Sequence, residues 1–163
     1  MAQIKLRGTP IHTSGTLPAV GSTAPDAELT TPELVDVRLS SFPGKKVLNV
    51  FASLDTPVCA ASVRMFAKEA TKKPGVSVLN ISMDLPFAQK RFAATEGIEG
   101  VHMLSAFRSD FPTRFGLRIE DGGMRGLCSR AVIVLDEANK VLYTEQVPEI
   151  VQEPDYDAAL ANL

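Results

Sequence analysis

The distribution of apolar residues along the chain predicts an alternation of strands and helices. Mostly apolar runs at residues 47–51, 76–83 and 130–135 have the length and composition of buried strands. Residues 35–39 alternate between apolar and polar types, as a half-exposed strand does. Residues 141–144 follow a short polar loop and are expected to pair back on the preceding strand. These patterns predict a sheet with both parallel and antiparallel neighbours.

Helical periodicity separates the predicted strands. After residues 47–51, one helical stripe is formed by Val58, Ser62, Met65, Phe66 and Ala70. Further helices are expected over residues 87–94, entered through a proline, over residues 110–115 and over residues 155–163. Strands and helices in this order are typical of an α/β fold whose central mixed sheet is flanked by helices.

The N-terminal part has a different pattern. Residues 3–13 alternate around the turn sequence Arg7-Gly8-Thr9-Pro10 and predict a β-hairpin. Residues 14–34 are rich in Gly, Ser, Thr and Pro and predict an extended connector. A length of 163 residues fits one domain, so we expect a single domain over 1–163 with the hairpin in residues 1–16.

Charge and hydropathy narrow the possible functions. The formal net charge is -2, without the basic face that nucleic-acid binding requires. The longest apolar run, residues 131–135, is far shorter than the about 20 residues of a membrane-spanning helix. The N-terminus has no apolar signal core. We therefore expect a cytoplasmic protein that binds neither nucleic acid nor membrane.

The two cysteines, Cys59 and Cys128, are too few for a disulfide scaffold or a Cys-rich zinc site. Thr56 is a suitable N-cap and Pro57 a suitable first helical residue, which puts Cys59 in the first turn of a helix. Unpaired backbone N–H groups and the helix dipole favour an anion there, and a thiolate is such an anion. The alternative interpretation is that Cys59 only packs in the core, as unpaired cysteines often do.

Four segments resemble the bacterial thiol peroxidases, which are atypical two-cysteine peroxiredoxins: residues 53–64, 84–92, 126–136 and 149–160. The resemblance implies a thioredoxin-like fold and reduction of hydrogen peroxide and organic hydroperoxides by Cys59, which becomes a sulfenic acid. In the family pattern Thr56 orients the sulfur and the peroxide, and Arg130 stabilises the thiolate and the transition state. The resemblance also implies thioredoxin as the reductant and a homodimer. No metal or nucleotide motif is present, so we expect no cofactor.

Two residues depart from the family pattern. Ala52 stands where the family has a proline that shapes the cysteine pocket, and Ala93 stands where the family has its resolving cysteine. Three explanations stay open: an engineered Cys-to-Ala variant, resolution by an external thiol, or resolution by Cys128. The last requires Cys128 to lie near Cys59, and the alternative is that Cys128 only packs in the core, as unpaired cysteines usually do. If residues 128–130 are extended, Cys128 and Arg130 point to the same face.

Two alternatives to an enzyme also stay open. The chain could be a non-catalytic peroxide sensor or interaction protein on the same fold, oxidised once and then recognised by a partner. It could also be a degenerate member of the family whose site is disabled. The alanines at positions 52 and 93 are the reason to consider this alternative. Steady consumption of peroxide with a thiol reductant distinguishes the enzyme from both.

Overall fold

A seven-stranded sheet forms the centre of the molecule, and the computed structural model describes residues 1–163. The strands are β1 (Gln3–Leu6), β2 (Thr9–His12), β3 (Glu28–Thr30), β4 (Asp36–Arg38), β5 (Lys46–Val50), β6 (Ser77–Ser82), β7 (His102–Ser105), β8 (Ala131–Leu135) and β9 (Val141–Gln146). The helices are α1 (Pro57–Ala70), α2 (Pro86–Glu96), α3 (Phe111–Arg114) and α4 (Tyr156–Leu160).

The sheet has the strand order β4-β3-β7-β6-β5-β8-β9. Strands β5, β6 and β7 are parallel neighbours, and the connections between them run through α1 and α2. The outer pairs, β3 with β4 and β7 on one side and β8 with β5 and β9 on the other, are antiparallel. Strands β1 and β2 form a separate two-stranded sheet. The predicted α/β fold with a mixed central sheet and an N-terminal hairpin is confirmed.

Both faces of the central strands are covered, which explains their unbroken apolar sequences. On one face, Leu48 and Ile133 belong to a cluster of 18 buried residues. On the other face, Val47 packs with Phe66 of α1 and Ala159 of α4. Successive residues of a strand point to opposite faces, so the two clusters share the strands but not the side chains.

The pairing of β5 with β8 brings two distant parts of the chain together. The antiparallel register pairs Val50, at the end of β5, with Ala131, at the start of β8. Arg130 directly precedes β8 and therefore lies where the chain leaves β5 towards α1. The strand register therefore places Arg130 near the first turn of α1.

Strand β3 corrects the predicted connector over residues 14–34. Glu28–Thr30 pairs with β4 and, at Thr30, with β7. Three residues are too few to show a period of two, and the hydrogen bonds that hold β3 come from strands further along the chain. The sequence pattern therefore carries no signal for it.

The last helix is shorter than predicted, because α4 covers Tyr156–Leu160 rather than residues 155–163. Beyond Leu160, the N–H groups of Asn162 and Leu163 donate to carbonyls three residues back, which closes the chain in turns. The longest helix, α1, has 14 residues. No helix has the length and apolar character needed to cross a membrane.

Candidate active site

Cys59 lies in the first turn of α1, at the position that the sequence predicts. Strand β5 ends at Val50, a short loop follows, and α1 begins at Pro57 after the extended Thr56. A proline fits the first helical position because the N–H it lacks would have no partner within the helix. Cys59 is the third residue of α1, and none of its surface is exposed.

The Thr56 hydroxyl does not cap α1, contrary to the sequence prediction. Thr56 occupies the N-cap position, but its oxygen accepts no hydrogen bond from the first turn. Its hydroxyl instead donates to the carbonyl oxygen of Ser53 at 2.9 Å. The N–H groups at the start of α1 therefore keep their partial positive charge beside Cys59.

The buried face of α1 is also wider than the predicted stripe. Ser62 and Phe66 are buried as predicted, whereas Val58 is only half-buried. Cys59 and Val63 are fully buried, although the stripe does not include them. The reason is that the first half of α1 packs against the preceding loop and α2 as well as against the sheet.

Arg130 forms a buried hydrogen bond with Cys59. Its Nη2 donates to Cys59 Sγ at 3.1 Å, and its Nε donates to the carbonyl oxygen of Ile150 at 2.8 Å. Arg130 is 1% exposed and is the largest fully buried side chain of the molecule. Its Nη1 has no hydrogen-bond partner in the protein. An arginine keeps its positive charge when buried, so this guanidinium is a fixed cation with one unused donor group.

The charge of Arg130 has no carboxylate to balance it, because none of the ion pairs in the structure includes Arg130. A buried cation without a counter-ion is costly, since little solvent remains to stabilise it. Its two hydrogen-bond acceptors are a neutral carbonyl and the Cys59 sulfur, and only the sulfur can become negative. A negative charge on the Cys59 sulfur would therefore face the uncompensated charge of Arg130 directly.

A cavity of about 430 Å³ lies over Thr56 and Arg130. Its wall is mostly apolar and comes from the hairpin, the start of α1 and two later loops, with Leu6, Val58 and Ile150 among its lining residues. Cys59 itself is fully buried next to this cavity. The cavity has the size of a small-molecule pocket, with the Arg130 guanidinium as its buried polar group.

Asp84 holds the loop that carries Thr56, and sequence reasoning missed this residue. Its carboxylate accepts hydrogen bonds from the Ser53 hydroxyl at 2.9 Å and the Leu54 N–H at 2.9 Å. The Ser82 hydroxyl donates to the same carboxylate at 2.7 Å. The Ser53 backbone carbonyl accepts the hydrogen bond from the Thr56 hydroxyl. Asp84 therefore fixes the orientation of the loop before α1. The available signal was an acidic residue directly after a buried strand.

A buried polar chain also ties the first turn of α1 to the sheet. The Ser62 hydroxyl donates to the Cys59 carbonyl oxygen at 2.7 Å, and Asn49 Nδ2 donates to Ser62 Oγ at 3.2 Å and to Asn80 Oδ1 at 3.0 Å. All four residues are 0% exposed. Sequence reasoning missed this network, although each of two apolar runs contains an asparagine, and the two pair in register on β5 and β6.

Both alanines that depart from the family pattern belong to, or pack against, the apolar cluster that contains Cys59. Ala52 is 1% exposed, belongs to the same apolar cluster as Cys59 and lines the cavity. Ala93, on α2, packs against that cluster from outside. The position at which the family has its resolving cysteine therefore packs against the cluster that contains Cys59.

Cys128 is not brought to the site. It belongs to the large cluster on the sheet face opposite α1, together with Ala131 and Ile133. The condition under which Cys128 and Arg130 would share a face is not met, because residues 128–130 precede β8 and Cys128 pairs with Arg118 instead. Complete burial, followed by the negative charge of Asp84, raises the pKa of the Cys128 thiol to about 12.

The two histidines lie apart from each other and from Cys59. His12 Nδ1 contacts Asp121 at 2.7 Å, and His102 packs edge-on against Phe42. No group of three or more His, Cys, Asp or Glu side chains is arranged to hold a metal ion. The chemistry that the site offers is that of a thiol beside a buried cation.

The fold is shared with proteins of known class. The sequence model of the Redoxin family matches residues 19–160. A peroxiredoxin-like protein from Aquifex aeolicus has a TM-score of 0.93 at 36% identity, with 99% of this chain and 95% of that chain covered. A thiol peroxidase from Chromobacterium violaceum has a TM-score of 0.90 at 24% identity, with coverage of 98% and 93%. These matches define the class as a redoxin with a thioredoxin-like fold, which confirms the predicted fold.

Curated relatives narrow that class. The thiol peroxidase of Mycobacterium tuberculosis strain H37Rv is 54% identical over 164 residues, which cover 100% of this chain and 99% of that protein. The thiol peroxidase of Corynebacterium glutamicum is 49% identical with the same coverage. The chain therefore belongs to the Redoxin family and, within it, to the peroxiredoxin-type thiol peroxidases. The predicted enzyme class, a peroxidase that uses thiol chemistry, is confirmed.

Proposed function

We propose that the protein reduces hydroperoxides through the Cys59 thiolate, with Thr56 and Arg130 as the groups that assist it. The observation that carries this proposal is the hydrogen bond of 3.1 Å between Arg130 Nη2 and Cys59 Sγ. Both side chains are buried, so the attraction between guanidinium and thiolate is screened little by solvent.

The reaction follows from the donors around the sulfur. The thiolate attacks one peroxide oxygen, an S–O bond forms and the O–O bond breaks. The other oxygen leaves as hydroxide or alkoxide and takes a proton to become water or an alcohol, while Cys59 becomes a sulfenic acid. The unused Nη1 of Arg130 is available to donate to the oxygens as negative charge spreads over them. The Thr56 hydroxyl, held against Ser53, orients the peroxide.

The substrates we propose are hydrogen peroxide and organic hydroperoxides. The mostly apolar wall of the cavity supports the second group, because an alkyl chain would displace water from apolar surface there. Hydrogen peroxide needs only the polar end of the cavity. The lining offers no second buried cation that would select for a multiply charged substrate.

Reduction of the sulfenic acid is assigned to an external thiol such as thioredoxin. The first thiol attacks the Cys59 sulfur and releases water, which leaves a mixed disulfide, and a second thiol then restores Cys59 and carries away the disulfide. Ala93, which packs against the cluster that contains Cys59, has no sulfur. Cys128 lies in another cluster, and its raised pKa keeps it a neutral thiol, which is a poor nucleophile.

A homodimer and a cytoplasmic location complete the proposal. Leu85, Phe87 and Phe107 are large apolar side chains exposed at 50%, 65% and 37%, which supports contact with a second copy of the chain. Both cysteines are unpaired, which fits a compartment that keeps thiols reduced. Sedimentation of the purified protein, compared with a Phe87→Glu variant, tests the dimer.

Mass spectrometry after one equivalent of peroxide tests the chemistry. The expected product is a sulfenic acid at Cys59, trapped by a dicarbonyl reagent, with Cys128 unmodified. A bridge between Cys59 and Cys128 would contradict the assignment of an external reductant. No modification at Cys59 would contradict its role as the nucleophile.

A second candidate function, a peroxide sensor that is oxidised once, is favoured by one observation. The position of the family's resolving cysteine is an alanine, so an oxidised Cys59 sulfur would persist until another molecule reacts with it. Consumption of peroxide distinguishes the two functions. Steady turnover of many equivalents with thioredoxin, its reductase and NADPH supports the peroxidase, whereas consumption that stops at one equivalent per Cys59 supports the sensor.

A further inference from the structure

The turn of the N-terminal hairpin is bound by the carboxylate of Glu149. Glu149 Oε1 accepts the N–H of Arg7 at 2.8 Å, and Oε2 accepts the N–H of Gly8 at 2.9 Å. Both turn residues have left-handed backbone angles, with φ of 50° and 85°. Such a two-residue turn leaves its two central N–H groups outside the strand pairing. The carboxylate satisfies both of them at once.

The backbone around Glu149 pairs with the same hairpin. The N–H of Lys5 donates to the Pro148 carbonyl at 2.7 Å, and the N–H of Ile150 donates to the Lys5 carbonyl at 2.9 Å. Lys5 and Glu149 therefore form a parallel bridge outside the main sheet. The hydrogen bonds to Lys5 hold the Ile150 peptide against β1. The hydrogen bonds between Glu149 and the turn in turn hold β1 in position.

The Ile150 carbonyl connects this clamp to the reacting sulfur. It accepts Arg130 Nε at 2.8 Å, while Nη2 of the same guanidinium donates to Cys59 Sγ at 3.1 Å. A guanidinium is planar and rigid, so the direction of its Nε–H bond fixes the directions of the other donors. Movement of the Ile150 carbonyl would therefore turn Nη2 away from the sulfur and Nη1 away from the substrate.

We propose that Glu149 is a positioning residue for peroxide reduction, which acts through the hairpin turn, Ile150 and Arg130. The inference rests on the proposed roles of Cys59 and Arg130. Glu149 has no contact with the sulfur and does not line the cavity. Glu149 holds the Ile150 carbonyl in place, and this carbonyl sets the orientation of the Arg130 guanidinium. A partly exposed carboxylate thereby fixes the direction of a buried hydrogen-bond donor.

Glu149→Gln tests the clamp because it keeps the size of the side chain and removes one acceptor and the charge. Glu149 is only half-buried, so the substitution leaves the core intact. The matched control is Glu33→Gln, an exposed carboxylate between β3 and β4 that makes no hydrogen bond or ion pair. Solvent exchange of the Arg130 Nε–H, followed by ¹⁵N NMR, should be about tenfold faster in Glu149→Gln and unchanged in the control.

A double-mutant cycle tests whether the effect on the reaction runs through Arg130. In the wild-type background, we expect Glu149→Gln to slow oxidation of Cys59 by hydrogen peroxide about tenfold. In the Arg130→Lys background, we expect the same substitution to slow it less than about twofold. Equal slowing in both backgrounds, or unchanged exchange of the Nε–H, would overturn the proposal. A wild-type protein that consumes no peroxide would overturn the proposed function instead, and the exchange measurement would still decide whether Glu149 holds Arg130.

Discussion

Cys59 and Cys128 are equally buried, but the groups around the two sulfurs differ in charge and polarity. Cys59 has a guanidinium at 3.1 Å, the first turn of a helix behind it and a cavity beside it. Cys128 lies among apolar side chains, and burial together with the charge of Asp84 raises its pKa to about 12. Burial makes a charged sulfur costly in both places, and only Cys59 has a cation in contact and a helix start beside it. Exposure alone therefore does not distinguish the proposed nucleophile from Cys128.

The sharpest test of this difference is Cys59→Ser. We expect peroxidase turnover to fall by about 10⁴-fold or more, to the rate at which the reductant alone consumes peroxide, because the proposed nucleophile is removed. The coupled thioredoxin assay measures this, with Cys128→Ala as the matched control that keeps Cys59. The comparison breaks if Cys128→Ala loses as much activity as Cys59→Ser.

The next largest effect is expected for Arg130→Lys, which keeps the charge but loses the geometry. A lysine cannot donate to the Ile150 carbonyl and to Cys59 Sγ in the two fixed directions that the guanidinium uses. We expect the rate constant for oxidation of Cys59, measured by rapid mixing, to fall by about 10²-fold. Arg38→Lys, at an arginine with 62% of its side chain exposed, is the control. An equal rate in both variants would mean that charge alone activates Cys59.

Ala93→Cys tests the α2 side of the apolar cluster that contains Cys59. Since Ala93 packs on the cluster that contains Cys59, a thiol there should resolve the sulfenic acid within the molecule. We expect trapping of the sulfenic acid by a dicarbonyl reagent to fall about tenfold, with a disulfide between positions 59 and 93 seen by non-reducing mass mapping. Ala94→Cys is the matched control, because the neighbouring position on α2 is exposed. Identical trapping in both variants would contradict the proposed place of Ala93.

The sequence predicts the parts of the site that depend on local pattern. Cys59, Thr56 and Pro57 are predicted together because a strand and a helix start follow each other along the chain, although the Thr56 hydroxyl does not form the predicted cap. Arg130 is found through resemblance, and the register of β5 with β8 explains its position. The Ile150 carbonyl could not be predicted, since a backbone group has no residue type by which to recognise it.

The errors have a common physical origin. The conditional placement of Cys128 on the face of Arg130 does not hold, because period-two alternation applies only within a continuous strand and β8 begins at Ala131. Asp84 and the Asn49 network were missed because their partners lie on other elements, so that only the folded chain brings them together. Strand β3 was missed for the same reason. Local periodicity describes elements, whereas these features are contacts between elements.

The smallest expected effect on activity concerns Cys128, whose ionisation should change only the stability of the fold, and only at alkaline pH. The pKa of this thiol is raised from an ordinary value of 9.0 to about 12 in the folded protein. Above pH 9.0 the unfolded chain therefore releases the proton while the folded chain keeps it, so the free energy of unfolding falls as pH rises from 9.0 towards 12. At about pH 10.5 this single group should cost about 2 kcal/mol relative to neutral pH.

Cys128→Ala removes this titration and should flatten the alkaline part of the stability curve. At neutral pH the variant is expected to lose about 1–2 kcal/mol through the small cavity it creates, with peroxidase activity unchanged. Burial also raises the pKa values of Tyr143 and Tyr156, so both proteins lose stability in base, and the difference between their urea curves isolates Cys128. Parallel curves would mean that Cys128 ionises in the folded state as readily as in the unfolded chain. In that case the contrast between the two cysteines would lie in access to peroxide alone and not in the charge that each site can hold.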